Sequence, residues 1–191
     1  MEEYEFMNGN LAYQEESREE LHNGEIVMMS SPSVNHNRVA SRIFSAFYNY
    51  LKGKSCEIFN YGVDVFVTEN DRVIPDVMIV CNKDIVQKDG IHGAPDLVVE
   101  VLSPGTAKSD RSYKKTLYEN FGVREYWIVD TELRSIEVYL LSDGKYYLDE
   151  IYRLPNDNMI DREKECCKDI VPVSLYDDFS ILLDEIFYGL F

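Results

Sequence analysis

Two carboxylates occupy positions where an apolar side chain would be expected. Glu100 is the one charged interior residue of Asp96-Leu97-Val98-Val99-Glu100-Val101-Leu102, and Asp76 follows Pro75 within the apolar run from Val73 to Val80. A carboxylate placed there costs several kcal/mol unless a metal, a cation or hydrogen bonds offset it, so each implies a partner. On neighbouring strands the two would converge. Two carboxylates are the usual protein share of a Mg²⁺ site, whose remaining positions go to water and phosphate oxygens. The competing account pairs Asp76 with an Arg and Glu100 with a Lys as buried ion pairs. It suits either carboxylate alone better than both together.

The elements that would position these residues can be read from periodicity and punctuation. A Glu- and Gln-rich segment over about 10–22 suggests a short exposed helix ending at Asn23-Gly24, a stop or turn signal. A strand over 25–29 and the turn chemistry of Ser30-Ser31-Pro32-Ser33 precede a helix over about 34–52, whose apolar residues recur every three or four positions. Runs over 57–61, 63–68 and 73–80 are rich in β-branched and aromatic residues and read as strands. The segment 96–102 is almost wholly apolar, as in a central strand buried on both faces. Ser109 or Asp110 can then cap a helix that runs to about Phe121 and stops at Gly122. A strand over 125–129, a hairpin of 136–141 with 146–152, a charged excursion over 155–168 and a final helix over 182–187 complete the chain.

Composition limits what such a domain could be. The 191 residues allow one substantial core, so a single domain over 1–191 is expected, with about 155–191 as a C-terminal extension. Acidic residues outnumber basic ones 35 to 19, for a formal charge of −16 that repels polyanions at long range. A protein that coats nucleic acid is therefore disfavoured, whereas an enzyme meeting a phosphodiester through a local site is not. Membrane-spanning and signal patterns are lacking, so a cytoplasmic protein with no membrane partner is expected. Cys56, Cys81, Cys166 and Cys167 show neither zinc-ligand nor disulfide-framework spacing and read as incidental thiols. The fourteen Tyr and nine Phe lack a basic surround and are read as filling the core and a subunit interface.

Several motifs agree with one family in order and spacing. Pro75-Asp76, the run Pro95 to Pro104, Asp110, Lys114, Tyr118 and Gly122-Val123-Arg124-Glu125-Tyr126-Trp127 resemble the Uma-type restriction-endonuclease family. So does Gly24-Glu25-Ile26-Val27-Met28-Met29-Ser30 with Pro32 and His36, and the likeness runs from about residue 20 to the final helix. That family is similar to the PD-(D/E)XK nuclease superfamily. The resemblance implies an α/β restriction-endonuclease-like core, a central mixed β-sheet flanked by helices, with an extra C-terminal β-hairpin.

The same resemblance implies a metal-dependent site with Asp76 and Glu100 as Mg²⁺ or Mn²⁺ ligands. The lysine expected two residues after Glu100 is Leu102 here, and the family's helix lysine that stands in for it matches Lys114 rather than its neighbour Lys115. His36 is implied as a phosphate or water contact, against the plainer account of a hydrogen-bonded structural histidine. Glu20 and Glu25 are candidates for an N-terminal acidic residue joining the metal site. The expected function is a metal-dependent DNA endonuclease, with a possible homodimer by analogy with duplex-cutting enzymes. The alternatives are a catalytically inactive binding or assembly module and a phosphoesterase acting on small nucleotides or nucleic-acid ends.

Overall fold

The computed structural model describes residues 18–155 and 158–191. Strands β1 (Glu19–His22) and β2 (Glu25–Met28) form a hairpin that leads into helix α1 (Val34–Leu51). There follow β3 (Glu57–Asn60), β4 (Val65–Thr68), β5 (Asp71–Val73), β6 (Val77–Val80) and the two-residue strands β7 (Val86–Gln87) and β8 (Gly90–Ile91). Strand β9 (Leu97–Val101) enters a helical segment made of α2 (Ala107–Ser109), a π-helical turn (Asp110–Lys114) and α3 (Lys115–Phe121). The chain ends with β10 (Glu125–Asp130), β11 (Ser135–Ser142), β12 (Lys145–Arg153), α4 (Asp161–Glu165), β13 (Ile170–Pro172), β14 (Ser180–Leu182) and α5 (Leu183–Phe187).

The central sheet has the order β12-β11-β10-β9-β6-β3, and β9 and β10 are its parallel pair. Parallel neighbours need a crossover, which the helical segment 107–121 supplies. Side chains alternate along β9. Leu97, Val99 and Val101 join Val39, Ile43 and Phe47 of α1, Trp127 of β10, and Leu183, Ile186 and Phe187 of α5 in one core. Val98, on Glu100's face, joins a second core with Met78, Tyr118, Tyr126 and Ile128 and with Val65 and Val73 of a second sheet. That second sheet, β2-β1-β5-β4-β8-β7, brings the N-terminal hairpin against Glu100's side of the molecule. The architecture is therefore the expected α/β core with a central mixed sheet, and the C-terminal hairpin of β11 and β12 is present.

Several local expectations are corrected. Residues 19–22 of the expected N-terminal helix are strand β1, while residues 10–17 lie outside the described residues. Asn23 and Gly24 both take positive φ, 51° and 81°, which is the two-residue hairpin geometry that Asn-Gly favours, so β1 pairs with β2 instead of coiling. Pro75 cannot donate to a ladder, and the run 73–80 accordingly splits into β5 and β6 with Asp76 just ahead of β6. Helix α2 starts at Ala107 after Thr106, so Ser109 and Asp110 lie inside the helical segment rather than capping it.

Cys56 and Cys81 form a disulfide, contrary to the expectation of incidental thiols. The antiparallel register that pairs Glu57 with Val80 brings them together across β3 and β6, which their separation of 25 residues along the chain does not reveal. Cys166 and Cys167 are free.

The C-terminal extension covers one face of the sheet and is latched to it by a buried carboxylate. Glu125, fully buried, accepts hydrogen bonds from Trp127 Nε1 at 2.7 Å and from Ser174 through its amide at 2.9 Å and its hydroxyl at 2.5 Å. Truncation leaves those donors unsatisfied in an apolar setting. Glu125→Ala should lower stability by about 3 kcal/mol, and Tm by about 6–12 °C. Thermal unfolding followed by the fluorescence of Trp127, the only tryptophan, checks this.

Candidate active site

Antiparallel pairing of β6 with β9 matches Val77 to Val99, and continuing that register by one residue sets Asp76 opposite Glu100. Both carboxylates are buried, at 5% and 3% exposure, and both line one small cleft at the C-terminal end of β9. The cleft has a volume of about 30 Å³ and is also lined by Met29, Ser30, His36, Tyr61, Ser103 and Lys114. That is room for one or two water-sized occupants.

Each carboxylate is held by one oxygen. Asp76 Oδ2 accepts the Val101 amide at 2.8 Å and lies 3.2 Å from His36 Nε2. Glu100 Oε1 accepts the Tyr118 hydroxyl at 2.7 Å and the Lys114 ammonium at 3.2 Å. Asp76 Oδ1 and Glu100 Oε2 take no hydrogen bond from any described residue. The competing ion-pair account therefore holds for half of the pair: Glu100 does meet a lysine, while Asp76 meets a histidine and an amide rather than an arginine.

Lys114 is 2% exposed, and it reaches Glu100 from the helical segment that packs over this face of the sheet. Its ammonium also lies 2.8 Å from Glu20 Oε1, on β1, and 3.7 Å from Asp110 Oδ1 one π-turn earlier. Neighbouring Lys115 points elsewhere, with its ammonium 3.7 Å from the centre of the Tyr139 ring. His36 and Glu20 are thus brought to the site. Glu25 is not: it lies exposed on β2 opposite His22, because the hairpin turns its far end outward.

Sequence reasoning did not assign a site role to Asp110 or Tyr118. Asp110 is four residues before Lys114 and Tyr118 four after it, so their spacing was the available signal. The π-turn, which alters the angular spacing across 110–114, was not legible.

Three carboxyl groups, from Glu20, Glu100 and Asp110, surround the single ammonium of Lys114, and Asp76 stands opposite Glu100. Burial raises the Glu100 pKa well above the usual carboxylate range; Lys114 opposes the rise, and the charges of Asp110, Asp76 and Glu20 add to it. Asp110 is raised for the same reasons, burial first. For Glu20, burial is outweighed by hydrogen bonds from His22 and the Ile74 amide and by the charge of Lys114, which bring it down to about 2. Burial alone would lower the Lys114 and His36 pKa values; the carboxylates around Lys114, and Asp76 beside His36, raise them instead.

The surplus of negative charge, together with a free oxygen on each of Asp76 and Glu100, fits a divalent hard cation. Among the described residues no group of three or more His, Cys, Asp or Glu side chains is arranged to cage a metal ion. The donor set suits an ion such as Mg²⁺, which takes one or two protein carboxylates and keeps its waters, better than one such as Zn²⁺, which asks for a closed set of ligands.

The chain is thus a mixed-sheet α/β protein with two facing carboxylates at a strand end and a lysine above them. A family model described as Uma2, "Putative restriction endonuclease", matches residues 1–165, and the chain belongs to this family. The protein slr1290 of Synechocystis sp. (strain ATCC 27184 / PCC 6803 / Kazusa) is 34% identical over 142 residues, covering 72% of this chain and 75% of that protein. A second protein of the same organism, sll1609, is 25% identical over 139 residues, covering 70% and 78%. A crystal structure from Anabaena variabilis ATCC 29413, described as a "putative nuclease belonging to DUF820", superposes with a TM-score of 0.69 over 90% of each chain. At 18% identity that likeness shows a shared fold. No helix among the described residues is long and apolar enough to cross a membrane.

Two stability experiments follow from the electrostatics. Glu100 favours folding at low pH, where it is protonated, and loses that contribution as pH rises through its raised folded-state value. Glu100→Gln should therefore raise Tm at neutral pH by about 2–4 °C, equivalent to about 1 kcal/mol; a fall would show that the Lys114 bridge outweighs the burial cost. Glu20 has the opposite sign, stabilising above its unfolded value and losing this as pH falls through the folded one. The stability gap between wild type and Glu20→Gln, measured by urea unfolding, should close as pH drops from 4.5 towards 2.

Proposed function

We propose that this chain is a metal-dependent nuclease that hydrolyses phosphodiester bonds of DNA, with Asp76 and Glu100 holding Mg²⁺ or Mn²⁺. Membership of the Uma2 family supports a nuclease-type function and with it a nucleic-acid substrate. The observation that carries the finer reading is the meeting of Asp76 and Glu100 in one cleft beneath Lys114.

Asp76 and Glu100 would hold the divalent ion, and its chemistry when bound would be Lewis-acid activation of a phosphoryl oxygen and of the attacking water. The residues of the chain supply the rest. The Val101 amide and His36 fix the plane of the Asp76 carboxylate, and Tyr118 fixes that of Glu100. Lys114, kept protonated by its carboxylate neighbours, faces the cleft as the positive charge available to the developing phosphorane oxygens. His36 meets Asp76 Oδ2 through Nε2, while its Nδ1 is buried with no hydrogen-bond partner among the described residues. Glu20, and Asp110 on the π-turn, act through Lys114 by setting where its ammonium stands.

An inactive module is favoured by one observation: Lys114 is already compensated by two carboxylates within 3.2 Å. Activity and metal binding on the same variants separate the two readings. Wild-type protein should cleave DNA with Mn²⁺ or Mg²⁺, and Asp76→Ala and Lys114→Met should each lose about 100-fold or more of that rate. Mn²⁺ at about a hundred times its Kd should raise the wild-type Tm by about 5–10 °C and leave that of Asp76→Ala in place. A metal-induced Tm shift without cleavage would support the inactive module, and absence of both would remove the metal site.

A further inference from the structure

We infer that Arg18 is the substrate contact that suits this site to a polynucleotide strand, its guanidinium binding a phosphate adjacent to the scissile one. The inference rests on the nuclease reading above and names a residue outside the carboxylate and lysine cluster.

The first observation is position. Arg18 immediately precedes β1, and its Cζ lies 4.3 Å from the centre of the Tyr61 ring, which lines the cleft. Its carbonyl accepts the Met29 amide at 2.9 Å, and Met29 lines the same cleft. Both ends of this arginine are thus tied to the rim of the site.

The second is a cradle. Gly62 takes φ +106°, and a Cβ there would stand 2.9 Å from Arg18 Nη1 and 3.4 Å from Nη2. The guanidinium therefore rests on the Tyr61 ring and against backbone that carries no side chain. Such stacking uses one face of the planar cation and leaves its edge donors free for two parallel hydrogen bonds to a phosphate, which a lysine cannot provide.

The third is charge. Arg72 is compensated by Glu19 and Asp64, Arg111 by Glu137 and Asp130, and Arg124 by Asp96, whereas Arg18 has no carboxylate within ion-pair distance among the described residues. On a chain of formal charge −16, an arginine beside the cleft that pairs with no carboxylate among the described residues offers a polyanion a local positive charge. Lys114 does not fill this role, because it is buried and shared among carboxylates. A mononucleotide, a phosphomonoester, and a small phosphodiester alike have no neighbouring phosphate to offer, so Arg18 selects for chain length.

The test combines binding and turnover. Affinity for a fluorescein-labelled single-stranded oligonucleotide is read by anisotropy across a salt series in an Asp76→Ala background, where the probe is not consumed. Adding Arg18→Gln should weaken binding about 10-fold and reduce the slope of log affinity against log salt by about 1. Arg18→Lys should restore the slope and only part of the affinity. In the active protein, Arg18→Gln should raise KM more than it lowers kcat. The ratio of kcat/KM on the oligonucleotide to that on bis(p-nitrophenyl) phosphate should fall about 10-fold. Gly62→Ala, which keeps the arginine but crowds its guanidinium, should act in the same direction and serves if the Arg18 variants fold poorly. An unchanged salt slope and substrate ratio in both Arg18→Gln and Gly62→Ala, in a protein that cleaves, overturns the role of Arg18 and leaves the nuclease reading standing. A wild-type protein that cleaves neither substrate and binds no oligonucleotide overturns both.

Discussion

The ammonium of Lys114 joins three parts of the molecule at one buried point. It sits 2.8 Å from Glu20 on the second sheet and 3.2 Å from Glu100 on the central sheet, and it is itself carried by the crossover helix. Without that cation, Glu20, Glu100 and Asp110 would be like charges facing one another in a low-dielectric interior, where repulsion is poorly screened. Without the carboxylates, the ammonium would be a lone charge in the same place. The position of the N-terminal hairpin, the path of the helix and the strand end that forms the cleft therefore depend on one another through this contact.

The helix answers that constraint with a local irregularity. A π-turn at Asp110–Lys114 widens one turn of the segment, so that Asp110 and Lys114 both point inward while Lys115 turns out to the Tyr139 ring. π-turns are rare and are frequent at functional sites, because they re-aim a side chain at the expense of regular hydrogen bonding. Asp110 Oδ1, which has no hydrogen-bond partner among the described residues, faces the Lys114 ammonium at 3.7 Å.

A surplus of carboxylates over cations at the cleft is unfavourable for the protein alone and favourable for a divalent ion. The same property at the scale of the whole chain opposes a nucleic-acid substrate. The two are reconciled if charge is supplied locally, by an ion within the cleft and by Arg18 on its rim, while the remaining surface stays acidic. Arg38 and Arg42 of α1 likewise stack on the rings of Phe191 and Tyr188, whereas Arg124 pairs with Asp96.

What could be read from the sequence was whatever local pattern carries. A nearly unbroken apolar run identified β9 and alternation assigned Glu100 its face, the three-and-four spacing identified α1, and the oddity of Asp76 and Glu100 among apolar neighbours singled out both residues. The family resemblance pointed to Lys114 over Lys115, and the fold places Lys114 inward. What sequence could not provide was anything set by pairing between distant segments. Asn23-Gly24 closes a hairpin rather than a helix because β2 lies alongside β1, and Cys56 meets Cys81 because β3 and β6 share a register. Glu20 reaches the site and Glu25 does not, although five residues separate them, because the hairpin runs towards the cleft at one end and away from it at the other. Asp110 and Arg18 acquire their surroundings only from a π-turn and a glycine cradle. Residue type and period are properties of the chain, whereas burial, register and charge neighbours are properties of the packing, and the site depends on both.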